Sequence, residues 1–336
     1  MQKQVGQARG RLEFLWLELT GRCNLKCIHC YANSGPDRPL SEGMELKDWL
    51  DALDQAKALD CREVQFIGGE PTLYPGLLHL VEHARRIGYE DVSVYTNGTY
   101  LTEALKAAFL RHRVKLAFSI YGSVGAIHDQ VTLRKGSFGK TISAIRWAVD
   151  SGLSVQAGIV EMSVNVDDTP RIEMLLKEAG VRAINIDRMR RLGRGSQEQM
   201  PHSQLQELCG HCGNGKVCIS SNGQIYPCVF ARFANLGRFQ DRGLGSIFNC
   251  NRLRDFRKEL LDVQRAIRVT RDFSKGHATF PSQPGQRFPE ALDDVDALSR
   301  AFDRNPGSSA PPCNPDLPDP PCNPDLPDTP CNPDLP

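Results

Sequence analysis

The 336-residue chain lacks any apolar run approaching the ~18 residues that a membrane-spanning helix needs. Its first eleven residues are polar and lack the apolar core of a secretion signal. Charge of one sign is missing too: 41 Lys and Arg against 40 Asp and Glu leave a formal net charge of +1, and nothing strongly basic points to nucleic acid. Neither a membrane nor a nucleic acid is therefore an expected partner, and a reducing cytoplasm is the expected compartment. There, twelve cysteines in a large chain are expected to be metal ligands rather than disulfides.

Three of those cysteines, Cys23, Cys27 and Cys30, form a C-x3-C-x2-C array directly after an apolar, strand-like run at 12–19. An iron–sulfur cube usually takes four thiolates, so three leave one iron with an open position, as a catalytic metal site requires. No fourth Cys or His follows at the spacing of a structural zinc site. A second motif, Val64-Gln65-Phe66-Ile67-Gly68-Gly69-Glu70-Pro71-Thr72, reads as a buried strand ending in two glycines, which admit close approach because they carry no Cβ.

Together these motifs resemble the radical S-adenosylmethionine (SAM) superfamily, with its C-x3-C-x-aromatic-C signature (His29 at the aromatic position) and its GGEP motif (Gly68 to Pro71). The resemblance implies that SAM chelates the open iron of a 4Fe–4S cluster through its amino and carboxylate groups. An electron from the cluster then releases a 5′-deoxyadenosyl radical. It also implies that Cys23, Cys27 and Cys30 are the cluster ligands and that Gly68, Gly69 and Glu70 hold the amino group of SAM. Asn97, in Thr96-Asn97-Gly98, would present a polar group to SAM or simply form an Asn-Gly turn. Ser119 resembles the ribose-contacting position, and Arg134 resembles the basic residue that meets the SAM carboxylate, or is a solvated charge. His128-Asp129 follows the family pattern without an assignable role. Asp187 and Arg188 are substrate contacts or a plain ion pair.

Strand-like runs at 12–19, 63–67, 91–96, 114–120, 154–160 and 181–186 alternate with helical patterns at 45–59, 75–88, 101–111, 138–151 and 170–180. Such alternation predicts an α/β fold with parallel strands and crossover helices. Six units resemble the partial, TIM-like (β/α)6 barrel of radical SAM enzymes, with the site at the C-terminal strand ends. The expected organisation is an N-terminal arm at 1–11, the barrel at 12–195, a cysteine-rich extension at 196–264 and a low-complexity tail at 265–336.

In the extension, Cys209, Cys212, Cys218 and Cys228 fall within twenty residues, and Asn222-Gly223 between alternating apolar segments signals a hairpin. Gly223 and Cys228 match the G-x4-C spacing of a SPASM or twitch extension, which implies an auxiliary 4Fe–4S cluster; four thiols also suit zinc. Only Cys250 follows before the tail, so the remaining SPASM cysteines are not matched. The tail ends in CNPDLPDPP, CNPDLPDTP and CNPDLP, too proline-rich to pack a core. It reads either as a disordered segment or as a ligand-bearing one through Cys313, Cys322 and Cys331. Cys61 reads as an ordinary buried residue.

By resemblance the chain is expected to be a radical SAM, oxidoreductase-like maturase that abstracts hydrogen from a ribosomally made peptide and modifies or cross-links it oxidatively. A precursor peptide and a reductant such as flavodoxin or ferredoxin are the implied partners. Only about eleven residues precede the barrel, so a separate protein is expected to present a leader peptide. Two alternatives stand beside this: a radical SAM dehydrogenase or epimerase of a small molecule such as a sugar or nucleoside, and a non-catalytic cysteine-rich metal-binding protein.

Overall fold

A computed structural model describes residues 11–196 and 204–274. The expected tail repeats and the arm before residue 11 lie outside the described residues.

Six parallel strands, β1 (Phe14–Glu18), β2 (Glu63–Ile67), β3 (Asp91–Thr96), β4 (Lys115–Ser119), β5 (Val155–Glu161) and β6 (Ala183–Arg188), lie side by side in chain order. Each is paired in parallel with the next, with Trp16 opposite Gln65 and Ser119 opposite Gly158. Parallel neighbours need a crossover, and the helices supply it. They are α1 (Leu46–Ala58), α2 (Leu77–Arg86), α3 (Glu103–Arg111), α4 (Gly125–Thr132), α5 (Ser137–Asp150) and α6 (Thr169–Glu178). Their apolar faces bury Trp49, Leu53, Leu80, Phe109 and Ile145 against the strands, whose alternate residues Leu15, Leu17, Val64, Phe66 and Val94 face them. The sheet does not close on itself, in keeping with the partial barrel that the sequence pattern implied.

Two features were not foreseen. Short α4 lies between β4 and α5; it carries only three buried residues, His128, Val131 and Thr132, too few for a clear helical period. It ends on Leu133 in the left-handed conformation (φ 55°), a turn that sends Arg134 back toward the cysteine loop.

The second concerns the expected hairpin. The strands β7 (Lys216–Ile219) and β8 (Gln224–Tyr226) form it around Gly223 (φ 83°), but β7 also pairs in parallel with β1, Trp16 opposite Cys218. The extension thus prolongs the barrel sheet, in the order β6-β5-β4-β3-β2-β1-β7-β8-β9, where β9 is Gly237–Arg238. Next come α7 (Phe239–Phe248), kinked at Gly243, and α8 (Asn251–Ser274), which runs through the expected 264/265 boundary. Leu253, Phe256 and Leu260 pin α8 to the core at helical spacing. Among the described residues no helix is long and apolar enough to cross a membrane.

Candidate active site

The loop between β1 and α1 carries the three thiols, and the glycine motif grips its first residues. Gly69 N donates to Thr20 O (2.6 Å) and Glu70 N to Arg22 O (2.9 Å). This approach needs glycine: a Cβ on Gly69 would stand 2.6 Å from the Arg22 carbonyl carbon, and Gly68 has φ 149° with Thr20 O 2.7 Å from where its Cβ would be. The two glycines therefore let two backbone segments of this chain meet.

Other elements hold the rest of the loop. Lys26 N and Ile28 N donate to Thr132 O and Val131 O at the end of α4, and Arg134 Nη1 donates to Asn24 O (2.6 Å). Asn97 Nδ2 donates to Asn24 Oδ1 (2.8 Å) and lies 3.8 Å from Cys23 Sγ. Arg194, just beyond β6, donates from Nε to Cys27 O (2.7 Å) and from Nη2 to Ser34 O (2.8 Å), while its own amide reaches Cys30 O.

So fixed, Cys23, Cys27 and Cys30 line a single cavity of about 370 Å³ at the C-terminal ends of the strands, together with Gly68, Gly69, Asn97 and Ser119. Two expected contacts do not line it. Arg134 is turned to the Asn24 carbonyl, and Glu70 is fully buried behind the wall. The Glu70 carboxylate accepts from Thr72 N and Oγ1, Thr96 Oγ1 (2.6 Å) and Asn97 N (2.7 Å), which locks the glycine motif to the end of β3. Burial raises its pKa, and these donors oppose the rise. Asp187 and Arg188 do form ion pairs, but with other partners: Asp187 with Arg190, and Arg188 with Glu207 (3.0 Å). Asp129 accepts from Gly136 N, Phe138 N and Ser137 Oγ, capping α5; desolvation is the largest single influence on its pKa and raises it, but these bonds together outweigh it and leave the pKa lowered. His128 is buried and its Nδ1 accepts from Tyr121 N.

The donor set suits an iron–sulfur cluster. Burial pushes the Cys23 thiol up to about 12, with the Glu70 carboxylate adding to it, and raises Cys27 further, so a metal must displace protons to bind. Among the described residues no three His, Cys, Asp or Glu side chains converge as a single-ion site. A cluster does not ask for that, because each thiolate meets a different iron. His29 stands between the thiols on the same wall, its Nδ1 buried without a hydrogen-bond partner; burial lowers its pKa to about 4, leaving it neutral.

The second cysteine set is only partly gathered. The thiols are free: Cys212 and Cys228 touch, Sγ to Sγ 2.8 Å, and Cys209 is hydrogen-bonded to Cys212; these two hydrogen bonds raise Cys212, while the one to Cys209 lowers the Cys209 thiol to about 5 and the one to Cys228 lowers Cys228. Cys218 is fully buried on β7; burial raises its pKa, the charge of Glu18 adds to the rise, and that of Arg232 opposes it. Cys250 is packed partly buried against the core. Cys61 is buried, with its Sγ 3.4 Å from Glu63 O.

This arrangement has known counterparts. The model of the Radical SAM superfamily matches residues 17–176, and that of the SPASM iron-sulfur cluster-binding domain matches residues 209–269. The chain thus matches a radical SAM domain over residues 17–176, followed by a SPASM domain over residues 209–269. Among its relatives, the antilisterial bacteriocin subtilosin biosynthesis protein AlbA of Bacillus subtilis is 26% identical over 267 residues, covering 69% of this chain and 58% of the relative. A probable GTP 3′,8-cyclase of Saccharolobus solfataricus is 31% identical over 206 residues, covering 59% and 63%. The chain thus spans about three fifths of the length of these curated relatives. In fold it resembles Streptococcus suis SuiB bound to S-adenosylmethionine, with a TM-score of 0.58 and 15% identity, over 74% of this chain and 66% of that one.

The radical SAM domain implies a 4Fe–4S cluster and SAM as cofactors, and the SPASM domain implies auxiliary iron–sulfur chemistry. The sequence pattern did not single out Glu18, Arg190, Arg194, Glu207 or Arg232. Only Glu18 carried a signal, as a carboxylate closing an otherwise apolar strand.

Proposed function

We propose that the chain cleaves SAM reductively and uses the resulting 5′-deoxyadenosyl radical to abstract hydrogen from a ribosomally made peptide, which it modifies oxidatively. The observation that carries this reading is the union of two thiol sets: Cys23, Cys27 and Cys30 face the cavity, and Cys209, Cys212 and Cys228 sit on an extension that prolongs the same sheet. When bound, the cluster supplies an electron to the C–S bond of SAM. The chain's own residues do the positioning. The Gly68 and Gly69 backbone and Asn97 would face the amino acid end of SAM, and Ser119 its ribose; Glu70 and Arg134 would act from behind by holding the glycine motif and the cysteine loop. Tyr95, Tyr121 and Phe230 line the cavity and would keep water from the radical.

Peptide is favoured because AlbA is a bacteriocin biosynthesis protein and SuiB has been solved with a precursor peptide, SuiA. A small-molecule substrate is the second reading, favoured by the cyclase relative. A precursor peptide, a flavodoxin- or ferredoxin-type reductant and a leader-presenting protein are the proposed partners. The test is iron and sulfide per chain after anaerobic reconstitution of a variant with Cys23, Cys27 and Cys30 all replaced by alanine. About four irons remaining would support a separate auxiliary cluster and the oxidative reading. None remaining would sink it in favour of a single-cluster, small-molecule enzyme.

A further inference from the structure

The cysteine loop and the turn that follows α4 are tied to one another. Lys26 N donates to Thr132 O (3.3 Å), Ile28 N to Val131 O (3.0 Å), and Arg134 Nη1 to Asn24 O (2.6 Å). These bonds set Lys26 beside Leu133, Arg134 and Lys135, and all four residues are exposed.

The surface they form is basic although the chain as a whole is balanced. Residues 20–35 contain Arg22 and Lys26 and no acid, and residues 122–141 contain Arg134, Lys135 and Lys140 against Asp129 alone. Asp129 is occupied, accepting from Gly136 N, Phe138 N and Ser137 Oγ. None of the five cations forms an ion pair among the described residues. Leu133 is 59% exposed and stands at φ 55°, a conformation rare for a bulky residue, so the turn holds an apolar side chain out among unpaired positive charges. Such a surface complements an acidic protein, whose approach it would also steer.

Its position says what that protein would do. Lys26 directly precedes Cys27, and Asn24, whose carbonyl Arg134 holds, directly follows Cys23; both thiols line the cavity. A protein cannot enter a cavity of about 370 Å³, so an electron from a protein carrier must reach the thiols through the cavity wall. The cysteine loop is that wall, and Lys26 is on its exposed side.

We infer that Lys26, Leu133, Arg134 and Lys135 form the docking surface for an acidic one-electron carrier protein. This rests on the reading that Cys23, Cys27 and Cys30 hold a 4Fe–4S cluster and that SAM is cleaved reductively. The carrier gives up one electron to the cluster, and the same electron passes to the C–S bond of SAM, which breaks to methionine and the 5′-deoxyadenosyl radical. Lys26 and Lys135 attract the carrier and Leu133 packs against it; none of them touches the reacting atoms.

The test compares reductants on the reconstituted holoenzyme: saturating dithionite, which needs no docking, and reduced flavodoxin or ferredoxin, both acidic proteins. One readout is 5′-deoxyadenosine formed from SAM. The other, independent of turnover, is the affinity for oxidised flavodoxin by calorimetry at low and high salt. Lys26→Glu combined with Lys135→Glu is expected to leave the dithionite rate at the parent's value, to lower the protein-driven rate about tenfold or more at low salt, and to weaken flavodoxin binding. Lys26→Arg with Lys135→Arg should behave like the parent, and salt should slow the parent toward the charge-reversed variant. Protein-driven rates equal to the parent's would overturn the proposal. So would an equal loss with dithionite, which would place these lysines at SAM or the thiols instead. If Lys26→Glu lowers the iron content, Lys135→Glu with Lys140→Glu, both off the cysteine loop, decides. A parent that dithionite drives but neither protein drives or binds overturns the proposal alone; a parent inactive with dithionite removes the SAM reading beneath it, and the proposal with it.

Discussion

Replacing Gly69 by alanine tests whether the glycine motif works by gripping the cysteine loop. The added Cβ would stand 2.6 Å from the Arg22 carbonyl carbon and 2.8 Å from Gly21 O, closer still to Arg22 O, and all three are backbone atoms that cannot swing aside. Ordinary contact requires about 3.5–4 Å, so Arg22, and Cys23 with it, must move by roughly 1 Å. Overpacking of this kind costs about 1–3 kcal/mol. At roughly 2–4 °C per kcal/mol for a domain of this size, the protein should stay folded with a midpoint lowered by about 2–12 °C. Displacement of a reacting centre by about 1 Å costs on the order of 100-fold in rate. The assay is 5′-deoxyadenosine formation from SAM under dithionite, with iron counted per chain. Gly139→Ala is the control: its Cβ would meet nothing within 4 Å, it is exposed in α5, and alanine favours the helix by about 0.5–1 kcal/mol. A Gly69→Ala enzyme that turns over like the parent would refute the gripping argument.

Cys27→Ala is expected to abolish 5′-deoxyadenosine formation; parental rates in that variant would show the array is not the catalytic site. Arg194→Ala removes donors to two carbonyls of the cysteine loop, a loss of roughly 1.5–3 kcal/mol per charge-assisted bond, and should release iron faster to a chelator. An unchanged release rate would mean the loop is held without it. Asp129→Ala uncaps α5 and should cost about 0.5–2 kcal/mol by thermal unfolding. Because the folded-state pKa of Asp129 is depressed, its contribution is present above the ordinary carboxylate range and is lost as pH falls through the folded value. The gap between parent and variant should therefore narrow as the pH falls through the acid range; a gap that does not narrow on acidification would point to packing instead.

What the sequence alone determined about this protein is what depends on near neighbours. The spacing of Cys23, Cys27 and Cys30, the paired glycines, the strand-helix alternation and the Asn222-Gly223 turn all report chemistry or periodicity within a few residues, and all are present in the fold. Short α4 escaped because a helix with three buried residues scarcely has a period. The tertiary structure alone decided how β7 adds to β1, which carries the second cysteine set to the barrel and leaves Cys218 beside Glu18 rather than with Cys212. It alone decided that Glu70 faces Thr72, Thr96 and Asn97. Arg194 meets Cys27 across 167 positions and Arg232 meets Glu18 across 214. Such pairs leave no local pattern, because a charge finds its partner only after the strands have set their register and the chain has closed around them.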